Sequence, residues 1–210
     1  MSFLDRIASA IMPPESDEDR AEARRNAEGL ARDGDWLSQA LDHHRRIEAS
    51  FGLAANGATS QERLSALKQL AAVLNAHSAA EEVVLYPAMT ENGEKSHATM
   101  AYEEQSIAKV EMARLEKLDP MSEEWRDKLE HIKGAVQHHM YQEEGTWFPE
   151  LRRASSPQND AMLTRRYNEE FARFSGEPMD PRGTQPLQMA AQMDESNRQP
   201  NAQNWGAADY

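Results

Sequence analysis

The chain has 210 residues, with 36 acidic and 23 basic side chains, a net charge of −13 and no cysteine. The acidic balance disfavours nucleic acids and anionic membranes as partners, and the lack of cysteine excludes disulfides, thiolate metal sites and thiol catalysis. No apolar run approaches the roughly 20 residues that a membrane span needs, and the N-terminus lacks the apolar core of a signal peptide. We therefore expect a cytoplasmic protein.

Residues 1–34 are predicted to form an amphipathic and charged helical segment. Its apolar stripe has helical spacing and consists of Phe3, Leu4, Ile7, Ala8 and Ile11. Two consecutive prolines end this stripe, because proline cannot continue a helix from its interior. Such a stripe usually packs on the body of its own protein; a contact with a protein partner is the alternative.

Four longer helical patterns follow between residues 35 and 153, at about 35–51, 61–89, 95–118 and 122–153. In the first two, apolar residues recur at spacings of three and four, the period of an amphipathic helix. Short links that contain Gly, Asn or Pro separate the four patterns, and no stretch alternates with a period of two. Four long helices with short links predict an all-α fold, an antiparallel four-helix bundle.

The remaining residues divide into two segments. Residues 154–175 are predicted to be a C-terminal helical extension, and residues 176–210 are rich in Pro, Gln, Asn and Gly. A segment so poor in aliphatic side chains cannot bury enough apolar surface to offset its chain entropy. We expect a largely disordered tail, which could contact a protein partner.

One motif occurs twice, in the second and fourth helices. "HSAAEEVVLYP" and "HMYQEEGTWFP" share a His, three residues, Glu-Glu, three residues, an aromatic residue and Pro. Residues i and i+4 lie on one face of a helix, so each copy places a His beside a Glu. The pairs are His77 with Glu81 and His139 with Glu143, and both lie on the apolar stripes of their helices.

A buried glutamate is costly unless a cation or another group compensates its charge. Two buried His–Glu pairs suit iron, manganese or zinc, and helix bundles hold di-metal centres built from such pairs. The alternative is that these His and Glu residues are exposed to solvent and form ordinary i,i+4 hydrogen bonds. The presence of two copies, both on apolar faces, disfavours that alternative. The aromatic-proline endings are expected to be structural: Tyr86 and Phe148 close the end of the bundle, and each proline loosens its helix.

The first helix adds a histidine to this predicted site. In "LDHHRRIEASF", His44 shares a face with the apolar residues Leu41, Ile47 and Phe51, which makes it the natural fifth ligand. His43 is rotated by about 100° from His44 and is expected at the surface.

These residues resemble the hemerythrin-like HHE cation-binding family, whose members are helical bundles with a non-haem di-iron centre. The resemblance spans about residues 36–153 and rests on "DHHRRIEASF" and the doubled motif. It implies two iron ions, with manganese or zinc as weaker alternatives, and two bridging glutamates. The ligands that it implies are His44, His77, Glu81, His139 and Glu143. The second glutamate of each pair, Glu82 or Glu144, would lie outside the ligand set.

The third helix departs from the family pattern. Its "EQSIAK" places Gln105 where the family has a histidine, and a neutral amide is a weaker ligand than imidazole. Three alternatives remain open. Glu104 could turn its carboxylate inward, His97 could reach in from eight residues earlier, about 12 Å along the axis, or one coordination position could be open to water.

The resemblance implies a protein that binds or reacts with dioxygen, peroxide or nitric oxide, in stress or iron handling. A different class stays open because of Gln105. In that alternative the bundle is a metal-poor adaptor, a scaffold whose N-terminal stripe and C-terminal tail bind other proteins.

Overall fold

The computed structural model describes residues 15–176 of the chain. Two predictions concern residues outside this range: the apolar stripe of residues 3–11 and the tail beyond Gly176.

The described residues form helices and no strand, which confirms the predicted all-α class. The α-helices are α1 Asp17–Glu28, α2 Trp36–Asn56, α3 Ser60–Ala80, α4 Tyr86–Glu91, α5 Lys95–Leu115, α6 Glu123–Gln142, α7 Phe148–Ala154 and α8 Pro157–Ser175. A π-helical turn at Glu81–Leu85 joins α3 to α4, and a second at Glu143–Trp147 joins α6 to α7. None of the described helices is both long and apolar enough to cross a membrane.

The starts of the long helices are capped by side chains. Asp35 accepts a hydrogen bond from the amide of Ser38 ahead of α2, and Ser122 accepts one from Trp125 ahead of α6. Thr59 and Glu62 form a reciprocal capping box at the start of α3. Such caps satisfy amides that have no partner within the helix, each at a gain of about 1 kcal/mol. They explain why the helices begin close to where the sequence pattern places them.

The helices pack into a bundle around one core. Helix α2 lies along α3, α5 along α6, and α8 along α3 and α2, while α1 packs on the second π turn. The largest fully buried side chains are Trp36, Trp125, Trp147, Tyr86, Tyr167, Phe51 and Phe148. Burying one large apolar side chain contributes roughly 1.5–3 kcal/mol, so this core provides the main stabilising term.

Helix α8 is tied to the start of α2 by a buried polar group. Arg152 pairs with Asp160 at 2.7 Å and with Asp35 at 2.9 Å. The indole nitrogen of Trp36 donates to the other oxygen of Asp160. These contacts fix α8 across α2 and α3, and its residues Leu163, Tyr167 and Phe171 become part of the core.

The doubled motif produces a doubled distortion of the helix. The amide of Tyr86 bonds to the carbonyl of Glu81, and that of Phe148 to the carbonyl of Glu143, five residues back in each case. A proline follows each aromatic residue, and its ring would clash with the carbonyl four residues earlier in a regular α-helix. The expected loosening by proline therefore takes the form of a π turn.

The π turn changes where Tyr86 points. In an α-helix, residue i+5 lies about 140° around the axis from residue i, whereas residue i+4 lies only about 40° away. With one extra residue in the turn, Tyr86 takes the place that i+4 would have relative to Glu81. The prediction that Tyr86 closes the bundle end is therefore wrong: its ring is buried and its hydroxyl lies 3.2 Å from the Glu81 carboxylate.

Candidate metal centre

Helices α2, α3 and α6 and the first residue of each π turn bring a group of His and Glu side chains together in the core. His44, His77, Glu81 and Glu143 each offer one ligand atom, and the four atoms lie within 4.8 Å of one another. The two glutamates are fully buried, as is His44. His139 adjoins the group, with its Nε2 atom 3.2 Å from Glu143 Oε1.

The same four residues carry buried atoms without a hydrogen-bond partner among residues 15–176. These atoms are His44 Nε2, His77 Nε2, Glu81 Oε1 and Glu143 Oε2. Leaving a buried polar atom unsatisfied costs roughly 1–3 kcal/mol, and native proteins contain few such atoms. Two imidazoles and two carboxylates with facing orphan atoms fit a cation such as iron, manganese or zinc. We call this side of the centre the His77 half.

The other oxygen of each glutamate faces a second set of groups, which we call the His139 half. Glu143 Oε1 accepts a hydrogen bond of 2.9 Å from the hydroxyl of Tyr86. The same hydroxyl lies 3.2 Å from Glu81 Oε2 and 3.2 Å from His139 Nε2. Glu81 and Glu143 thus divide their oxygens between the two halves, which is the arrangement that carboxylates bridging two metals require.

Each of the three histidines is held from behind at Nδ1, which leaves Nε2 facing the centre. A metal-binding histidine commonly has such a partner, because it fixes the tautomer and the ring orientation. The pairs are His44 with Glu144 at 2.7 Å, His77 with the Tyr167 hydroxyl at 3.1 Å, and His139 with Glu104 at 2.8 Å.

The partner of His44 depends on α1. Glu144 is almost fully buried and pairs with Arg24 at 2.9 Å, and Arg24 also pairs with Glu48 at 2.7 Å. A charge-assisted pair of this kind holds a carboxylate firmly. Glu144 therefore holds the Nδ1 side of His44. The contribution of Arg24 has no signal in the sequence, since 120 residues separate it from Glu144.

The partner of His77 comes from α8. The hydroxyl of Tyr167 lies 3.1 Å from His77 Nδ1 and 3.0 Å from His43 Nδ1. A hydroxyl has one proton, so it donates to one of these nitrogens and accepts from the other. If His77 is to offer Nε2 as a ligand, its Nδ1–H donates to Tyr167, and Tyr167 then donates to His43.

His43 is not at the surface, so that prediction is wrong. It is 2% exposed, and its ring stacks on Phe171 at a centroid distance of 3.7 Å. The physical reason is α8, which covers the face of α2 that the sequence pattern left open.

Helix α5 is the third of the predicted long helices, and it places Gln105, Glu104 and His97 at three different positions. Gln105 lies in the His139 half, where its amide nitrogen is 2.6 Å from Glu81 Oε2 and 2.6 Å from the Tyr86 hydroxyl. Glu104 sits behind His139 on the Nδ1 side rather than between the two glutamates. Helix α5 therefore contributes an orienting carboxylate and a hydrogen-bond donor to this half.

His97 lies outside the centre. Its ring stacks on Trp147, and its Nδ1 atom is 3.7 Å from Glu150. Together with Glu94 it forms a separate, partly exposed group near the ends of α5 and α7. The structure therefore does not bring His97 to the other predicted ligands. Glu82, the second glutamate of the first motif, is also outside the centre and pairs with Lys109.

The buried histidines and glutamates of the centre shift one another's pKa values. Burial lowers the pKa of His44, but the adjacent carboxylates of Glu143 and Glu144 outweigh burial and raise that pKa to about 9. Burial, aided by the charge of His44, keeps the pKa of His77 well below its usual value. Burial and the charge of Glu143 raise the pKa of Glu81 well above its usual range. A bound cation would relieve the repulsion between the two carboxylates.

A cavity of about 30 Å³ lies beside His77, His139 and Gln105. Its apolar walls are Ile47, Leu74, Ala108, Ala135, Val136 and Met140. One water molecule needs about 10–15 Å³ of such space. The cavity therefore has room for a molecule of two or three atoms next to the centre.

Residues 37–151 match the family model described as Hemerythrin HHE cation binding domain. The chain belongs to the hemerythrin HHE cation-binding domain family. The match covers more than half of the 210 residues, and it confirms the resemblance drawn from the doubled motif. Helices α1 and α8 lie outside the range matched to the hemerythrin domain, although Arg24 and Tyr167 both support its histidines.

A protein of Nostoc sp. (strain PCC 7120 / SAG 25.82 / UTEX 2576), named DNA nickase, is 33% identical to this chain over 92 residues. The aligned residues make up 43% of this hemerythrin-domain chain and 26% of the Nostoc protein. The chain thus spans about a quarter of that relative's length. No solved structure gives a significant match.

Tyr86 is the centre residue that sequence reasoning placed wrongly, although the two motif copies contain a signal. The copies agree in His and Glu but differ at the aromatic position, where Tyr86 corresponds to Phe148. A hydroxyl in one copy alone indicates that the two copies serve the centre differently. The ring of Phe148 packs instead between Trp36 and His44.

Proposed function

We propose that this protein is a non-haem di-iron protein of the cytoplasm that binds or reacts with dioxygen, peroxide or nitric oxide, in stress or iron handling. The observation that carries the proposal is the division of the Glu81 and Glu143 oxygens between two halves, each with its own histidine. We further propose that an antiparallel four-helix bundle surrounds this centre. Its four members are α2, the helix formed by α3 and α4 with their π turn, α5, and the helix formed by α6 and α7 with their π turn.

The ligands of the His77 half would be His44, His77, Glu81 and Glu143, and His139 would join the same two glutamates in the His139 half. Bound iron would supply redox chemistry and a binding position for a small oxygen or nitrogen species. The chain's own part is to hold three imidazoles with Nε2 inward and to keep water from the centre. The cavity beside His77 and His139 supports a ligand of two or three atoms.

Iron content and the optical spectrum test the proposal. The protein is expressed with added iron and purified without chelator, and we expect about two irons per chain. The His77→Ala and His139→Ala variants should each lose iron and melt at a lower temperature. Removing a ligand that balances buried charge costs roughly 3–5 kcal/mol. His131→Ala, a half-buried histidine on α6 outside the centre, is the matched control and should keep wild-type iron. Less than one iron per chain in the wild type contradicts the proposal.

The metal-poor adaptor is a weaker interpretation of the same bundle. A scaffold without metal would leave four facing donor atoms buried and unsatisfied in its core, at a cost of a few kcal/mol. The Nostoc relative is named DNA nickase. The net charge of −13 opposes binding of a phosphate backbone, so DNA is not part of the proposed function.

A further inference from the structure

The His77 half has four protein donors, whereas the His139 half has three if only His and Glu are counted. The three are His139 Nε2, Glu81 Oε2 and Glu143 Oε1. Gln105 occupies the position at which the sequence led us to expect a fourth, but it presents its amide nitrogen, which donates hydrogen bonds and cannot bind a cation. Tyr86 is the other polar group at this position. We propose that the Tyr86 oxygen is the fourth ligand of the metal in the His139 half, an inference that rests on the proposed di-iron function.

Distances from the Tyr86 oxygen support a ligand role. It lies 2.9 Å from Glu143 Oε1, 3.2 Å from Glu81 Oε2 and 3.2 Å from His139 Nε2. Donor atoms bound to one metal at about 2.1 Å and at right angles to each other are about 3 Å apart. The hydroxyl therefore has the spacing of a neighbouring ligand, whereas an atom at the metal position would be about 1 Å closer to every donor.

Gln105 fits this arrangement as a positioning residue. Its amide nitrogen donates to the Tyr86 oxygen and to Glu81 Oε2, both at 2.6 Å. The two bonds hold two ligand oxygens of the same half side by side. An amide at this position supports an oxygen ligand, whereas a histidine there would compete with Tyr86 for the metal.

The two motif copies explain why only one half has a phenol. Both π turns aim their aromatic residue inward, but Phe148 faces His44 in the half that already has two histidines. Tyr86 faces the half that has one. Each half then has four protein donors: two imidazoles and two carboxylate oxygens, or one imidazole, one phenol and two carboxylate oxygens.

Binding of ferric iron by Tyr86 breaks the O–H bond as the O–Fe bond forms, and the proton leaves to the buffer. Iron loaded as the ferrous ion reaches the ferric state by oxidation in air. A phenolate bound to ferric iron absorbs at visible wavelengths and gives characteristic ring vibrations in resonance Raman spectra, and histidine and carboxylate ligands give neither signal.

The test compares the full-length protein with Tyr86→Phe, which removes one oxygen atom and keeps the buried ring. We expect the air-oxidised wild type to show the visible band and the ring vibrations. Tyr86→Phe should lose both signals and bind its second iron at least tenfold more weakly. Tyr141→Phe and Tyr102→Phe are the controls and should keep both signals, because neither residue lies among these donors.

Each result has a defined meaning. Two irons in the wild type without the phenolate signals overturn the role of Tyr86 and leave the di-iron function standing. A wild type without iron overturns both. Retention of the band in Tyr86→Phe, or its loss in either control variant, also overturns the inference. If Tyr86→Phe does not fold, the wild-type spectrum and the two control variants still decide the question.

Discussion

The two halves of the centre share the carboxylates of Glu81 and Glu143 but differ in what supports them. The His77 half is enclosed by helices outside the matched family range: Arg24 of α1 acts through Glu144, and Tyr167 of α8 binds His77. The His139 half is supported within that range, by Glu104 and Gln105 of α5.

This difference leads us to expect that the two halves differ in how readily they release a metal. Both histidines of the His77 half are at most 2% exposed, whereas His139 is 7% exposed and its partner Glu104 is partly open to solvent. A ligand held by buried partners on several helices moves less than one whose partner reaches solvent. We therefore expect the His77 half to keep its metal longer, and the His139 half to exchange metal and small ligands.

The largest effect is expected from removing α8, which would open the His77 half. A chain that ends at Ser156 loses the burial of Leu163, Tyr167 and Phe171, each contributing roughly 1.5–3 kcal/mol. Total stability is typically about 5–15 kcal/mol, so the truncated chain should melt at a much lower temperature or fail to fold. Circular dichroism melts and iron content measure this.

A chain that ends after Gly176 is the matched control for that truncation. The composition beyond Gly176 is poor in core-forming aliphatic residues, so this chain should melt and bind iron like the wild type. If the chain that ends at Ser156 melted at the wild-type temperature, α8 would be dispensable.

A smaller effect is expected from Arg24→Met, which removes the support of His44 through Glu144. Glu144 stays buried with only His44 as a charged partner, at a cost of about 2 kcal/mol, or roughly 4–8 °C in Tm. Arg45→Met breaks the half-exposed pair with Glu28 and is the control, with an expected cost below about 0.5 kcal/mol. Equal losses in the two variants would contradict a special role for Arg24.

Tyr167→Phe changes the His77 half by a single oxygen atom. His77 loses its Nδ1 partner, and losing such a partner weakens metal binding by about 10–100-fold. Competition with a chelator should show weaker binding of one iron, while the iron of the His139 half is unaffected. Tyr141→Phe, at a half-buried tyrosine of α6, should behave like the wild type. A loss confined to the His139 half would reverse the assignment of Tyr167.

The predictable part of the centre is the part that local geometry determines. His77 with Glu81 and His139 with Glu143 face inward because an i,i+4 pair on an apolar stripe shares one face of its helix. That argument needs no knowledge of the rest of the chain. Gln105 was placed at the centre by the family resemblance rather than by helix geometry, and it is buried there.

The remaining features depend on contacts that sequence spacing does not contain. Arg24 and Tyr167 reach the centre because α1 and α8 pack on the bundle, and His43 is buried for the same reason. Tyr86 was misplaced because the prediction expected each proline to loosen its helix but did not include an extra residue in the turn, and that extra residue redirects the side chain of Tyr86.

The smallest effect is expected from Gln105→His, which restores the residue that the family resemblance places in the third helix. If the His139 half lacks a ligand, the new imidazole should add one and markedly slow the release of the second iron. If Tyr86 already supplies the fourth donor at this position, the imidazole could bind there only by displacing the Tyr86 oxygen. We expect the second outcome, with unchanged iron content and a stability change of at most about 1 kcal/mol, because Gln and His have similar volumes.

Gln137→His, a half-buried position on α6 outside the centre, controls for the substitution itself. The comparison is sharpest in the phenolate band. An added histidine that binds the metal must displace Tyr86 or crowd it, and either change shifts the band, whereas a histidine that only takes over the hydrogen bond to the Tyr86 oxygen leaves it in place. Slower iron release in Gln105→His, together with an unchanged visible spectrum, would mean that the His139 half had a free position beside Tyr86. That position would then be where dioxygen, peroxide or nitric oxide binds.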